Sequence, residues 1–426
     1  MLDIKLIRSD PQQVKDAIRK REMDLDATVD EILEIDAERR RLTGQTEALK
    51  AEQNTASKQI PQLKKEGGDV AGLMARMKEL SAKIKEEDAA LSALEEKQKD
   101  LLLCLPNLPD SDLESGGKEN NKPVRVFGEQ PKFGFPMKNH VELCESLGLI
   151  DYERGAKIAG NGSWIYRGMG ARLEWALLNF FVNEHLSDGY ELILPPHMLG
   201  YECGYVAGQF PKFEDEVYWI QNPTSSDRRF MLPTAETALV NLHRGEILTE
   251  ADLPRKYIAY TPCYRREAGS YRSEERGMIR GHQFSKVEMV QYTTPETSDQ
   301  AFEELVGKAE RLVQELGLHY RLSKLAAGDC SFSMARTYDI EVWIPSMGIY
   351  KEVSSASNAR DYQARRGNVK VRGADGKLRL VHTLNASGLA TSRVMPAIVE
   401  QYQNADGSVT VPEVLRPYMG GVEVIR

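Results

Sequence analysis

The sequence predicts an α+β protein: an antiparallel sheet flanked by helices, preceded by a long antiparallel helical hairpin. Three observations carry this. Stretches 257–264, 282–290, 338–344 and 350–355 alternate apolar and polar residues, and polar loops join them in hairpin order. Apolar positions recur in a 3-4 rhythm through 25–56 and again through 73–101, as in a coiled-coil seam. Neither GxGxxG nor GxxxxGK followed by Ser or Thr occurs, so any nucleotide is held without a βαβ phosphate loop.

In chain order, Ser9-Asp10-Pro11 caps a short helix within 1–24, with Pro in its first turn. The first seam holds Leu25, Thr28, Ile32, Ile35, Arg39, Leu42, Thr46 and Leu49. The second holds Leu73, Met77, Leu80, Ile84, Glu87, Leu91, Leu94, Gln98 and Leu101. Between them a break of about two turns carries Pro61, Gly67 and Gly68, which favours one folded-back hairpin over two dimerising zippers. Roughly 35 residues per helix make an arm about 50 Å long. Its first half is basic, with Arg39, Arg40, Arg41, Lys50, Lys58, Lys64 and Lys65 against Glu47 and Glu52 across 39–65. From the residues alone, a solvated face and an RNA-binding face are equally good readings.

Residues 104–124 are dense in Pro, Gly, Asn, Asp and Ser and read as a linker. The division is therefore 1–108 arm, 109–124 linker and 125–426 core. In the core, 171–186 is helical, 190–196 is a strand ended by Pro195, and Thr234 and Glu236 head a helix over 234–243 with capping residues in its first turn. Residues 296–316 are helical up to Gly317. Near the end, 382–393 reads as a strand and a Gly turn, with Arg393 leading a helix over 394–402.

Composition bounds the chemistry. The chain has 426 residues, room for two or three domains. A net charge of −8 restricts any nucleic-acid contact to a local patch. Five scattered cysteines without CxxC spacing speak against a disulfide framework or a thiolate zinc site, and fit reduced thiols in the cytoplasm. No apolar run approaches a membrane span, and the N-terminus has no signal-peptide pattern.

The richest stretch is 263–292, CYRREAGSYRSEERGMIRGHQFSKVEMVQY. Five arginines (265, 266, 272, 276 and 280) fall within 16 residues, beside Glu267, Glu274, Glu275 and Glu288, with aromatics at Tyr264, Tyr271 and Phe284. Any one Arg on a hairpin is unremarkable. Together they suit a polyphosphate and a nucleobase, because guanidinium binds phosphate bidentately and stacks on rings. The stretch resembles motif 2 of the class II aminoacyl-tRNA synthetases, and its wording (REAGS, RGMIR, HQF, KVE) resembles the bacterial-type seryl-tRNA synthetases. EVSSASN at 352–358, GLATSR at 388–393, Thr234-Ala235-Glu236 and the helical arm extend the resemblance over nearly the whole chain.

The resemblance implies a class II antiparallel core, and activation of L-serine by ATP followed by transfer to tRNA(Ser), extending to tRNA(Sec). It implies catalytic roles for Arg265, Arg393 and Glu352. ATP would contact Arg265, Arg266, Glu267, Arg280, Gly281, Phe284, Glu352, Val353, Ser354, Ser355 and Arg393. Serine would meet Thr234, Ala235, Glu236, Arg265, Glu288, Asn385 and Ser387. Glu352 and Ser355 would hold Mg²⁺; no zinc is expected. The arm's Arg39, Arg40, Arg41, Lys50, Lys58, Lys64 and Lys65 would reach tRNA, and the core would form a homodimer away from membranes. Four features depart from the family wording: residues 159–164, Arg266, Gly281 where a branched residue is usual, and Cys203-Gly204-Tyr205. Two other readings stay open, a serine-activating paralogue serving a biosynthetic pathway or a carrier protein, and a non-catalytic RNA-binding relative.

Overall fold

A computed structural model describes residues 1–221, 224, 226–267 and 277–426. The chain divides into two compact units. One comprises Leu2–Arg19 and Met23–Pro106; the other comprises Asn107–Arg426 with Met1 and Lys20–Glu22.

The smaller unit is the helical hairpin, Asp26–Glu66 and Val70–Leu103, with short helices Ile4–Ser9 and Pro11–Arg19 before it. Val29, Ile32, Ile35, Leu42 and Ala56 of the first helix and Leu80, Ile84 and Leu102 of the second are buried, and the two helices pack against each other along the 3-4 seam. The break is shorter than the sequence implied. Pro61 lies inside the first helix, and the chain turns only at Gly67, in the left-handed region at φ 70°, where glycine carries no Cβ penalty. Pro61 forfeits one backbone hydrogen bond at an exposed site, a loss that a helix of 41 residues absorbs.

The larger unit is built on an eight-stranded sheet, ordered Lys122–Phe127, Tyr320–Lys324, Arg336–Ile344, Ile349–Arg360, His382–Ala390, Gln283–Thr293, Arg255–Tyr264 and Glu191–Leu192. Every pairing is antiparallel except the last. Helices Met169–Ser187, Ser298–Glu315 and Thr391–Gln401 bury their apolar sides with Val287, Met289, Val342, Leu384 and Ala386. Alternation then sends Phe284, Lys286 and Glu288 to the opposite face. That face carries the site.

Local elements differ from the sequence reading in three places. The strand expected over 190–196 is only Glu191–Leu192, since Pro195 and Pro196 offer no N–H to a ladder. The helix expected over 234–243 shrinks to Glu236–Leu239, where Asn241 Nδ2 bonds the carbonyl of Thr237 at 2.9 Å and competes with the next helical turn. The stretch read as a linker runs into the edge strand Lys122–Phe127, and its Asp110 and Asp112 pair with Arg336.

Candidate active site

The central hairpin pairs Phe284 with Cys263, Lys286 with Thr261 and Glu288 with Ala259, so these side chains stand in a row on the open face. The neighbouring strand His382–Ala390 places Ser387 opposite Glu288 and adds Asn385 two residues along. Beyond it, Ser355 pairs with Asp339 and Glu352 with Glu341, and the register shifts by one residue between them. That bulge lets Glu352 and Ser355, three apart in sequence, share one face while Val353 is buried in the core. Period-two reading could not foresee it.

The result is a cleft of about 520 Å³ lined by Thr234, Glu236, Arg265, Glu267, Lys286, Glu288, Asp339, Glu352, Ser355, Asn385 and Ser387. A narrower recess of about 40 Å³ adjoins it, lined by Arg280, Gly281, Phe284, Val353 and Arg393 and sharing Arg265, Glu267, Lys286, Glu352 and Ser387 with the cleft. The recess is narrow because the Arg265 guanidinium lies 5.1 Å from the centre of the Phe284 ring, and Arg280 pairs with Glu267 at 2.5 Å.

Glu288 is fully buried. It accepts from Lys286 Nζ at 2.5 Å, Asn385 Nδ2 at 3.2 Å and Ser387 Oγ at 3.5 Å. Lys286 also donates to Thr234 Oγ1 at 2.8 Å. Glu236 is held by Gln363 Nε2 at 2.7 Å, and Gln363 is itself oriented by the Thr383 hydroxyl at 2.6 Å. Burial, then the charge of Glu288, pushes the Glu236 carboxyl up to about 7 against the opposing pull of Gln363, Lys286 and Arg265. Arg393 pairs with Glu352 at 3.3 Å and bonds its carbonyl at 3.0 Å. Burial would raise Glu352, but Arg393, Arg265 and Lys286 together carry it below its usual value. Burial and the facing Glu352 charge push Asp339 well above the usual carboxylate range, while Ser355 Oγ donates to it at 2.7 Å.

Most of the expected residues converge, and some do not. The Arg266 guanidinium turns away to the carbonyl of Asp215 at 3.0 Å and lines neither cavity. Ala235 is buried in an apolar cluster with Leu239, and Ser354 donates to the carbonyl of Ser387 at 2.6 Å. Arg272 and Arg276, with Tyr271, Glu274 and Glu275, lie outside the described residues. Asp339 and Gln363 are site residues that the motifs did not flag, and Lys286, the lysine of KVE, stood in a motif without an assigned role. Lys286 could have been found from its position two before Glu288 on one strand face. Two departures from the family wording explain each other: a Cβ on Gly281 would stand 2.1 Å from the Trp164 indole, so the ring fills the space a branched side chain would need.

On the arm, the seven basic candidates divide. Asp36, fully buried, accepts from Arg8, Arg39, Arg40 and Gln98. Burial pushes its carboxyl up, but Arg8 and these other donors bring it below the usual range. Arg41 pairs with Glu38 and Lys50 with Asp88, both in water. Lys58, Lys64 and Lys65 are exposed.

Residues 218–402 match the family described as tRNA synthetase class II core domain (G, H, P, S and T), and residues 1–109 match the seryl-tRNA synthetase N-terminal domain. The chain is 62% identical over 423 residues to serine-tRNA ligase 2 of Clostridium acetobutylicum, covering 99% of each. Seryl-tRNA synthetase from Pyrococcus horikoshii complexed with ATP superposes with a TM-score of 0.93 at 35% identity, covering 100% of this chain and 99% of that one. Cytoplasmic serine-tRNA ligase from Naegleria fowleri in complex with AMP gives 0.88 at 29%, with the same coverage. Among the described residues no helix is long and apolar enough to cross a membrane.

Proposed function

The chain belongs to the seryl-tRNA synthetase family, and from its site we propose how it carries out that family's reaction. It activates L-serine with ATP to seryl-adenylate and transfers the seryl group to tRNA. The observation that supports this division of labour is that Arg265 lines both the cleft, with Thr234, Glu236, Glu288 and Ser387, and the adjoining recess, with Glu352 and Arg393.

In activation the serine carboxylate attacks the α-phosphorus, a P–O bond forms, and the bond to pyrophosphate breaks. Two anions must approach, so fixed positive charge has to stabilise the pentavalent phosphorus. Arg265 serves the carboxylate and the α-phosphate together, and Arg393 holds the far end of the triphosphate. Phe284 offers the stacking surface for adenine, with Arg280 on the other side of the base and Glu267 facing its exocyclic amine. Glu236 and Thr234 receive the serine ammonium, and Glu288 with Ser387 receives its hydroxyl. Alanine brings no hydroxyl to Glu288 and Ser387, and a site built to hydrogen-bond a substrate hydroxyl rejects the analogue that lacks it. No side chain need act as nucleophile.

The raised Asp339 carboxyl facing Glu352 marks a like-charge conflict that a divalent cation would relieve, so the donor set fits Mg²⁺. Glu352 and Ser355 would hold it, and when bound it would supply charge neutralisation of the phosphates.

A second copy of the chain is the partner we assign to the exposed apolar side chains Trp175 and Leu186 of helix Met169–Ser187 and the neighbouring Leu192 and Leu194. The arm, taken as 1–108 with a linker to 124 and the core from 125, engages tRNA(Ser) by backbone and shape, and extends to tRNA(Sec). Lys58, Lys64 and Lys65 are the phosphate contacts it offers most freely, and the exposed pairs of Arg41 and Lys50 hold those residues only weakly. The cytoplasm is the compartment for such an enzyme.

The test is ATP–pyrophosphate exchange with serine, threonine, cysteine and alanine, run beside charging of tRNA(Ser) and tRNA(Sec). Exchange with serine alone, together with charging, is the expected result. Exchange without charging would favour the biosynthetic paralogue, and no exchange would leave a binding protein.

A further inference from the structure

We propose that Lys286 is a specificity-determining residue of the amino-acid pocket: its ammonium fixes Glu288 for the substrate hydroxyl and keeps Glu236 available to the substrate ammonium. The inference rests on the serine-activating reading above.

Lysine is seldom buried unless paired, yet Lys286 is only 6% exposed. Its Nζ lies 2.5 Å from Glu288 Oε2 and 2.8 Å from Thr234 Oγ1, so one ammonium ties together both walls of the pocket. The other contacts on Glu288 are longer, 3.2 Å from Asn385 and 3.5 Å from Ser387. The lysine therefore sets the rotation of the carboxylate, and with it which oxygen is presented to a hydroxyl.

Charge makes the second argument. Glu236 and Glu288 are both buried, and the charge of Glu288 burdens Glu236; Lys286 and Arg265 are the cations that relieve Glu236. A neutral side chain at 286 would leave the two carboxylates facing one another with Arg265 alone to offset them, and Gln363 contributes no charge. A purely structural role fits less well. A buried ion pair is weak evidence for stability, and an apolar pair of the same volume often stabilises as much. This pair lines a substrate cleft instead of closing a core.

The experiment is pyrophosphate exchange by Lys286→Gln and Lys286→Met, with serine and with alanine, from about pH 6 to about pH 9. The serine KM should rise, and its pH dependence should move upward. The serine-over-alanine ratio of kcat/KM should fall roughly tenfold or more. In a Glu288→Gln background, Lys286→Gln should change that ratio no further, because the lysine acts through the carboxylate. An unchanged ratio with kcat reduced equally for both amino acids would overturn the proposal and make Lys286 a phosphate cation. Loss of cooperative urea unfolding in both variants would also overturn it, by making the pair structural. If the parent protein shows no exchange with serine, the functional reading itself fails. If the parent exchanges and the variants keep its ratio, only the role of Lys286 fails.

Discussion

Glu236 should cost the free protein stability in proportion to its use. Its carboxyl is moved from 4.5 to about 7, first by burial and then by Glu288. The folded state therefore binds more protons than the unfolded chain between these values, and stability falls as pH rises through that window. Below about pH 4.5 the penalty is absent, and above about pH 7 it is complete, at about 3 kcal/mol by 1.36 kcal/mol per tenfold change. Glu236→Gln keeps an acceptor for Gln363 and removes the penalty. The variant should match the parent near pH 4.5 and exceed it by up to about 3 kcal/mol at pH 8 in urea unfolding followed by tryptophan fluorescence. It should also lose serine-dependent exchange, because the substrate ammonium has no counter-ion. In the parent, the serine KM should rise about tenfold for each pH unit below 7, as protonation removes the binding form. A stability gap that does not widen with pH, or a variant less stable than the parent at pH 8, would refute the argument.

Other outcomes follow from the same geometry. Arg265→Ala should abolish pyrophosphate exchange while leaving tRNA affinity within about twofold in filter binding, since affinity is carried by phosphate contacts that this reading places on the arm. Replacing 28–103 by a short flexible turn should spare exchange and cripple charging; survival of charging would make the arm merely structural. Asp36→Asn removes the charge that Arg8, Arg39 and Arg40 share, and should cost the arm about 2 kcal/mol in thermal unfolding followed by circular dichroism. Gly281→Val should raise the KM for ATP by driving into Trp164, and Trp164→Ala in the same chain should restore it; failure of that rescue would separate the two positions.

How much was legible in the sequence depends on the range of the signal. The seam was legible because each core position repeats locally, and every residue assigned to it is buried or half-buried. The central hairpin was legible because alternation is a property of neighbours. Pro61 misled, since a proline signals a break only by local propensity and a long packed helix overrides it. The motifs located Arg265, Glu288, Glu352 and Arg393 but not the bulge at Val353 that brings Glu352 and Ser355 to one face, because a register shift is decided by two strands together. Gln363 carried no signal at all. Its place in the site is set through Glu236 and Thr383, which are 127 and 20 residues away.

The charges of the free site explain why such residues matter. Two carboxyls, Glu236 and Asp339, stand above their ordinary values, and the proposed reaction would bring a cation to each, the serine ammonium to one and a divalent ion to the other. Glu352 stands below its ordinary value, under the positive charge of Arg393 and Arg265. Folding thus favours the neutral form of Glu236 and Asp339, and the charged form of Glu352, which is paired with Arg393. A site made only of satisfied ion pairs would have to break them to admit zwitterionic serine and a tetra-anionic nucleotide. A site holding protons where cations will arrive has only to release them, which binding can drive. The residues that set this balance need not touch the reacting atoms, and that is why Lys286, the lysine of KVE, carried no assigned role and Gln363 falls outside the motifs altogether.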